Sequence, residues 1–328
     1  MIADYLLDLR LKTYPADDMI SAMNIWLVFE KVSVIFALVL VGFAYSKISK
    51  QKDPSSISKL VLNVSVPASI LSTITTADYE AIKADLPILI IIAVSVTLAT
   101  LILSFVMTFV LNVKIPAQKA AYRSALFFNN YGFMGWPICQ MLLGSQGFLY
   151  AALYSIPLHL LSYGITPALM RAAGDHKKLF DKSVLINLPL YATVLGLIVL
   201  MCGLRLPETM TGFLDMVGVT QTPLSMIVIG MILAGADLKA VVKGFKPYMF
   251  SVFRLLLLPT SAFLILHAIG FSGLMLSVPV IITAMPAGAM VVVLAQKHKA
   301  DPLLTSRLTV ISTLLSVVTI PLISMLIL

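Results

Sequence analysis

Charge is what this sequence has least of. Only 12% of its 328 residues are Asp, Glu, Lys or Arg, whereas a soluble protein carries about a quarter. That scarcity excludes an ordinary water-exposed surface. Cysteine is nearly absent: Cys139 and Cys202 both lie in apolar segments, so no disulfide framework is implied. No cluster of Cys, His and carboxylates has metal-ligand spacing, and neither a metal nor another cofactor is expected. Carboxylates are missing from the middle of every apolar stretch. Glu30 and Lys31 sit near one edge of the first, and Asp215 and Asp237 toward the ends of the seventh. Proton–cation antiporters generally need an intramembrane acid, so that class is disfavoured. No enzyme is expected either, because Ser155, His159 and Ser162 share a helix face without an acid to orient the ring. Residues 1–23 mix Asp, Arg, Lys and Pro and lack the layout of a signal peptide; they read as a short interfacial or loose extension.

What is present is apolar. Hydrophobic residues make up 59% of the chain, in continuous rather than alternating runs. This describes a polytopic helical membrane protein and not a barrel. Ten spans are predicted at 24–46, 57–76, 86–112, 118–143, 147–170, 183–203, 208–236, 247–269, 273–297 and 303–327. Most basic residues gather in alternate connections. These hold Lys47, Lys50, Lys52 and Lys59; Lys114, Lys119 and nearby Arg123; Arg171, Lys177, Lys178 and Lys182; Lys239, Lys243, Lys246 and nearby Arg254; and Lys297, Lys299 and nearby Arg307. The positive-inside rule puts these connections in the cytoplasm and both termini on the external side of the cell's inner (plasma) membrane. The same asymmetry accounts for the net charge of +8 without a nucleic-acid partner.

A linker at 172–182 separates five spans (24–171) from five more (183–328). An odd number of crossings per half turns the second half upside down. The expected fold class is therefore all-α, with ten transmembrane helices in two inverted five-helix repeats and two crossing broken helices.

The breaks are expected where Pro or Gly interrupts matching spans. One pair is NVSVPASI (Asn63 to Ile70) and QTPLSMI (Gln221 to Ile227); the other is NNYGFMGWP (Asn129 to Pro137) and TAMPAGA (Thr283 to Ala289). Pro137 lacks an N–H and its ring opposes the carbonyl of Phe133, with Gly132 and Gly135 beside it, so the fourth span is predicted to split there. Pro286 and Gly288 do the same in the ninth. If the breaks cross, their half-helix N-termini offer free N–H groups to a carboxylate. The alternative is a pair of packing kinks with no ligand. Candidate binding residues are Asn129, Asn130, Gly132, Pro137, Gln140, Pro286, Gly288, Asn63 and Gln221. Adjacent Asn129 and Asn130 lie about 100° apart on a helix, so only one is expected to face a cavity. His159 is either a proton relay or an interhelical hydrogen bond, the second being the commoner role.

NVSVPASILSTI, FFNNYGFMGWPICQMLLGSQGFLYAALYS and the C-terminal MPAGAMVVVLAQKHKADPLLTSRLTVISTLLSVVTIPLI resemble the auxin efflux carrier family. That family includes plant PIN exporters and bacterial malate and malonate permease-like proteins. The short linker makes the chain similar to the bacterial branch. The resemblance implies a sodium/proton antiporter-like or bile acid symporter-like fold, with a scaffold of helices 1, 2, 6 and 7 mediating homodimerisation and a transport domain carrying the crossover. It maps the crossover prolines to Pro137 and Pro286 and the polar site residue to Asn129 or Asn130.

The expected function is secondary transport of a small organic anion by an elevator-like movement. The rivals are a sodium-coupled symporter and, from another class, a membrane sensor or scaffold that binds without flux. Sodium or proton coupling is open.

Overall fold

The computed structural model describes residues 16–51, 53–171, 188–235 and 244–327. The 172–182 linker, residues 1–15, Lys52, Asp237, Lys239 and Lys243 lie outside them. Residues 16–23 are part of the first helix rather than a loose extension: α1 spans Ala16–Ser49. It is followed by α2 (Ser55–Thr75), α3 (Asp85–Val110), α4 (Pro116–Phe127), and α5, which begins as a π-turn (Tyr131–Gly135) and continues through Trp136–Arg171. Then come α6 (Leu188–Met201), α7 (Glu208–Gly218), α8 (Gln221–Gly235), α9 (Lys246–Ile269), α10 (Gly273–Thr283), α11 (Met290–His298) and α12 (Pro302–Ser324). Seven helical stretches are long and apolar enough to cross a bilayer, and α6 and the α10 segment are shorter apolar helices. The protein is a multi-pass helical membrane protein. Large apolar side chains such as Ile91, Ile102 and Phe109 of α3 stand exposed, as lipid contact requires.

Three prolines are accommodated by one device. Pro67, Pro137 and Pro259 each stand two residues beyond a π-turn, at Val61–Ser65, Tyr131–Gly135 and Phe253–Leu257. The carbonyl each ring would strike belongs to Asn63, Phe133 or Leu255, inside that turn. Widening the helix there removes the clash without ending the helix. Two sequence expectations are corrected accordingly. The NVSVPASI segment is a bulge within the continuous α2. Pro137 lies inside α5, and the break expected there falls earlier, at Phe128–Asn130. In the QTPLSMI segment the interruption precedes Gln221, between α7 and α8, and Pro223 sits in the first turn of α8. A different residue bends α5: Gly144 takes φ 70 and ψ −164, open only to glycine, and divides it into two limbs.

The helices pack as two groups. In one, α1 lies along α8, and α2 along α6 and α7. Glycines set these distances. A Cβ on Gly42 would stand 2.1 Å from the Ile227 carbonyl oxygen, and one on Gly230 2.0 Å from that of Val39. Gly196 abuts Ile74, and Gly218 the backbone of Ser69. In the other group α3 packs on α4 and α5, α10 on α5 and α9, and α12 on α4, α9 and α11. Several side-chain hydrogen bonds join helices inside a group: Ser65 with Thr220 at 2.8 Å and Ser72 to Asp215 at 2.9 Å in the first; Arg123 to Thr108 at 3.1 Å and Tyr150 to Asp85 in the second. Among the described residues, the bond that bridges the groups runs from Thr222 to Gln140, at 3.3 Å.

Candidate functional site

Two helices of the second group are interrupted, and the interruptions hold each other. Phe128–Asn130 and Pro286–Gly288 run antiparallel, with Asn129 opposite Ala287. The Asn130 N–H donates to the Pro286 carbonyl at 2.9 Å, and the Gly288 N–H to the Phe128 carbonyl at 2.9 Å. Backbone that leaves a helix at membrane depth needs such partners, since an unmet polar group there costs several kcal/mol. Gly288 permits the approach: a Cβ would lie 2.9 Å from the Phe128 ring and 3.0 Å from the Asn129 carbonyl oxygen. The Asn129 amide nitrogen donates to the Ile282 carbonyl at 2.7 Å, and the Ala287 N–H to Ser312 Oγ at 3.2 Å. Asn129, Pro286 and Gly288 thus build the crossover.

Four half-helix ends meet here, and their charges differ in treatment. The C-terminal ends of α4 and α10 face Arg254, which is 1% exposed. Its Nε donates to the Met285 carbonyl at 2.8 Å and its Nη1 to the Leu126 carbonyl at 3.0 Å. A helix C-terminus carries roughly half a negative charge, so two of them balance one guanidinium. Arg254 is therefore an internal cap and not a residue of the cytoplasmic connection, as its sequence position beside Lys246 suggested. Its Nη2 and the Asn129 Oδ1 lack protein partners, and both residues line a cavity of ≈ 10 Å³ with Thr97, Thr100, Tyr154 and Thr283. That volume is about one water.

The N-terminal ends of α5 and α11 have no such balance. The Asn130 carbonyl accepts from Met134 and Gly135, leaving the amides of Tyr131, Gly132 and Phe133 ahead of the first intrahelical bond. Two N-termini sum to roughly one positive charge. The sequence has no Asp or Glu between Asp85 and Asp175, nor between Asp237 and Asp301. α4, α5, α10 and α11 carry no Asp or Glu, so no acid on these helices answers that charge. The N-terminal side of the crossover is therefore electropositive.

The predicted residues separate around this point. Asn130 is buried, and among the described residues its carboxamide makes no hydrogen bond, so it is the free asparagine. Gly132 faces open space, its nearest neighbour for a Cβ being Trp136 at 4.0 Å. Gln140 binds Thr222. Gln221, on α8, is 0% exposed, and neither end of its amide has a protein partner; Ser225 Oγ one turn later is also unmet. Since α8 packs on the Tyr131–Gly135 turn, these groups border the crossover from the other helix group. Asn63 is exposed; Ser65, from the same π-turn, is the residue that points inward. A separate open cleft of ≈ 480 Å³ lies between α2, α7 and the α5 corner, lined by Ser72, Thr76, Gln146, Glu208 and Asp215. Its two carboxylates make it a poor resting place for an anion.

Arg254 is the crossover residue the sequence concealed. The available signal was position: it stands eight residues into α9, deeper than a helix-end lysine needs.

The membrane transport protein family model matches residues 27–184 and 175–324. A transporter of Methanothermobacter thermautotrophicus described as uncharacterized is 29% identical over 305 residues, covering 89% of this chain and 96% of its own length. One from Methanocaldococcus jannaschii, also described as an uncharacterized transporter, is 24% identical over 314 residues with the same coverage. Interrupted helices at membrane depth and a match along both halves lead to one conclusion: the chain belongs to the membrane transport protein family, that of the auxin efflux carriers.

Proposed function

We propose that the protein is a secondary carrier of a small organic anion, a carboxylate of the malate, malonate or auxin-like kind. One observation carries this: at the crossover the helix C-termini are balanced by Arg254, and the helix N-termini by no acidic residue of α4, α5, α10 or α11. The anion would sit against the Tyr131–Phe133 amides and the Asn130 carboxamide, with Gln221 facing it from α8.

The mechanism we infer is an elevator-like movement of the second helix group past the first. In its support, each group is closely packed and internally hydrogen-bonded, while Thr222–Gln140 bridges them at 3.3 Å. Ten crossings in two inverted repeats, 24–171 and 183–328, fit the packing: α1 pairs with α8 as α6 pairs with α2. Sidedness follows the positive-inside rule, with both termini external in the plasma membrane. A homodimer through the first group would cover apolar residues exposed on α6 and α7, among them Leu195, Ile198, Phe213 and Met216. An interior-negative potential drives anion export by about 2.3 kcal/mol per charge per 100 mV.

The test is flux in proteoliposomes with a panel of mono- and dicarboxylates, with and without a sodium gradient. Asn130→Ala is expected to lower flux at least about tenfold while thermal stability holds, because its side chain supports no other element. Unchanged flux would remove Asn130 from the site. Flux that requires sodium would make the protein a symporter, and binding without flux would make it a sensor.

A further inference from the structure

We infer that His159 is a proton-binding site coupled to the anion site, so that a proton and the anion are carried together; this rests on the anion-carrier assignment above. Tyr131 opens the second half-helix at the crossover, and its hydroxyl is hydrogen-bonded to His159 Nδ1. The imidazole is held in place from its other sides. It stacks on Tyr163 with ring centroids 4.3 Å apart, and Tyr163 in turn meets Phe128 edge-on at 4.8 Å. A phenol thus connects the ring to the residue whose backbone amide faces the anion.

The other ring nitrogen has no protein partner. Nε2 of His159, Oγ of Ser162 and Oγ1 of Thr166 are all buried and unmet. Their positions, i, i+3 and i+7, form one stripe along α5 toward its C-terminal end. Ser155, one turn back along the helix on the same face, is by contrast saturated: it accepts from Trp136 Nε1 at 2.9 Å and donates to the Ala151 carbonyl. The stripe is satisfied on one side of the imidazole and unmet on the other. Successive orphaned groups of this kind are ordinarily met by water. Water along Ser162 and Thr166 would give protons a path to Nε2 from the C-terminal end of α5.

No countercharge is built in. Among the described residues, the titratable groups in contact with the imidazole are Tyr131 and Tyr163, both of α5, and no hydrogen bond or ring contact joins it to a carboxylate or cationic side chain of another helix. An imidazolium is costly in such surroundings unless an anion accompanies it. The anion at the N-termini of α5 and α11 is that partner. When the ring is neutral, Tyr131 can donate to Nδ1. When it is charged, both nitrogens donate, the Tyr131 oxygen accepts, and the phenol hydrogen turns away, free for the carboxylate. Each ligand thus favours the other, reciprocally.

The experiment uses wild-type protein in proteoliposomes with a trapped pH dye, and radiolabelled malonate and malate as probes. Protons are expected to enter with the anion, and an imposed proton gradient to drive its accumulation. In detergent, anion affinity should rise about tenfold between pH 8 and pH 5.5. His159→Gln is expected to abolish that pH dependence and the proton movement. Should that variant fail to fold, proton uptake by the wild type on adding malonate in weak buffer is decisive alone. Anion flux without proton movement, or His159→Gln with proton coupling intact, would overturn the coupling and leave the carrier standing. If neither anion binds or moves at any pH, the anion-carrier assignment fails and the coupling with it.

Discussion

Arg254→Met is expected to unfold the crossover and to eliminate transport. The guanidinium holds the carbonyls of Leu126 and Met285 at 3.0 and 2.8 Å in a fully buried setting. Removing it leaves two acceptors unmet and two half-negative helix ends unbalanced. Each orphaned buried acceptor costs about 1–3 kcal/mol, and breaking a buried charge arrangement costs about 3–5 kcal/mol in all. The loss should appear as a lower melting temperature in detergent and as absent flux. Arg254→Lys is the informative companion. A lysine keeps the charge but is a single point, without the fork that reaches two carbonyls at once. It should recover part of the stability and little of the transport. A melting temperature equal to wild type for Arg254→Met would show that the carbonyls find other donors, and the balance of helix ends would need rethinking.

The second large effect is expected at the seam of α1 and α8. Gly42→Val and Gly230→Val each place carbon within about 2 Å of a backbone oxygen on the facing helix, measured as 2.1 and 2.0 Å for the first atom alone. Backbone cannot yield as a flexible side chain does, so the helices must separate. Small residues are what let membrane helices approach and gain dispersion contact. Overpacking typically costs about 1–3 kcal/mol, and more where the obstacle is backbone. Separation also displaces Gln221 and Thr222 at the start of α8. Each variant should therefore lower both thermal stability and flux, whereas Gly212→Ala, whose Cβ would meet nothing within 4 Å, should change neither. Wild-type melting in Gly42→Val would disprove the close seam.

How much of this was legible beforehand depended on whether one answer was physically available. The eighth span was predicted at 247–269 and α9 runs Lys246–Ile269; the third was predicted at 86–112 and α3 runs Asp85–Val110. An apolar run of that length has one use in a bilayer, so its ends can be read directly. The crossover was legible in kind but not in place. Proline has a strong local preference, yet Pro137 offers two escapes, a break or a π-turn, and a partner strand 150-odd residues away decides between them. The partner at Pro286–Gly288 makes the break at Phe128–Asn130, and the π-turn then absorbs Pro137. Asn63 and Ser65 were indistinguishable for a related reason: the extra residue in the Val61–Ser65 turn rotates the face that points inward. Arg254 was hidden by company. Amid three basic neighbours in sequence it resembled one more topological charge, and the carbonyls it serves lie at the ends of α4 and α10.

The pairing of the two interrupted segments also bears on how such a protein tolerates change in length. In a helix an added residue turns the chain by 100°, but in an extended pair it reverses which side each residue faces. One residue inserted beside Asn129 would turn Asn130 away from the half-helix ends and throw the Leu126 and Met285 carbonyls out of step with the single side chain that spans them. The three-residue stretches at Phe128–Asn130 and Pro286–Gly288 cannot change length without breaking the pairing that holds four helix ends together.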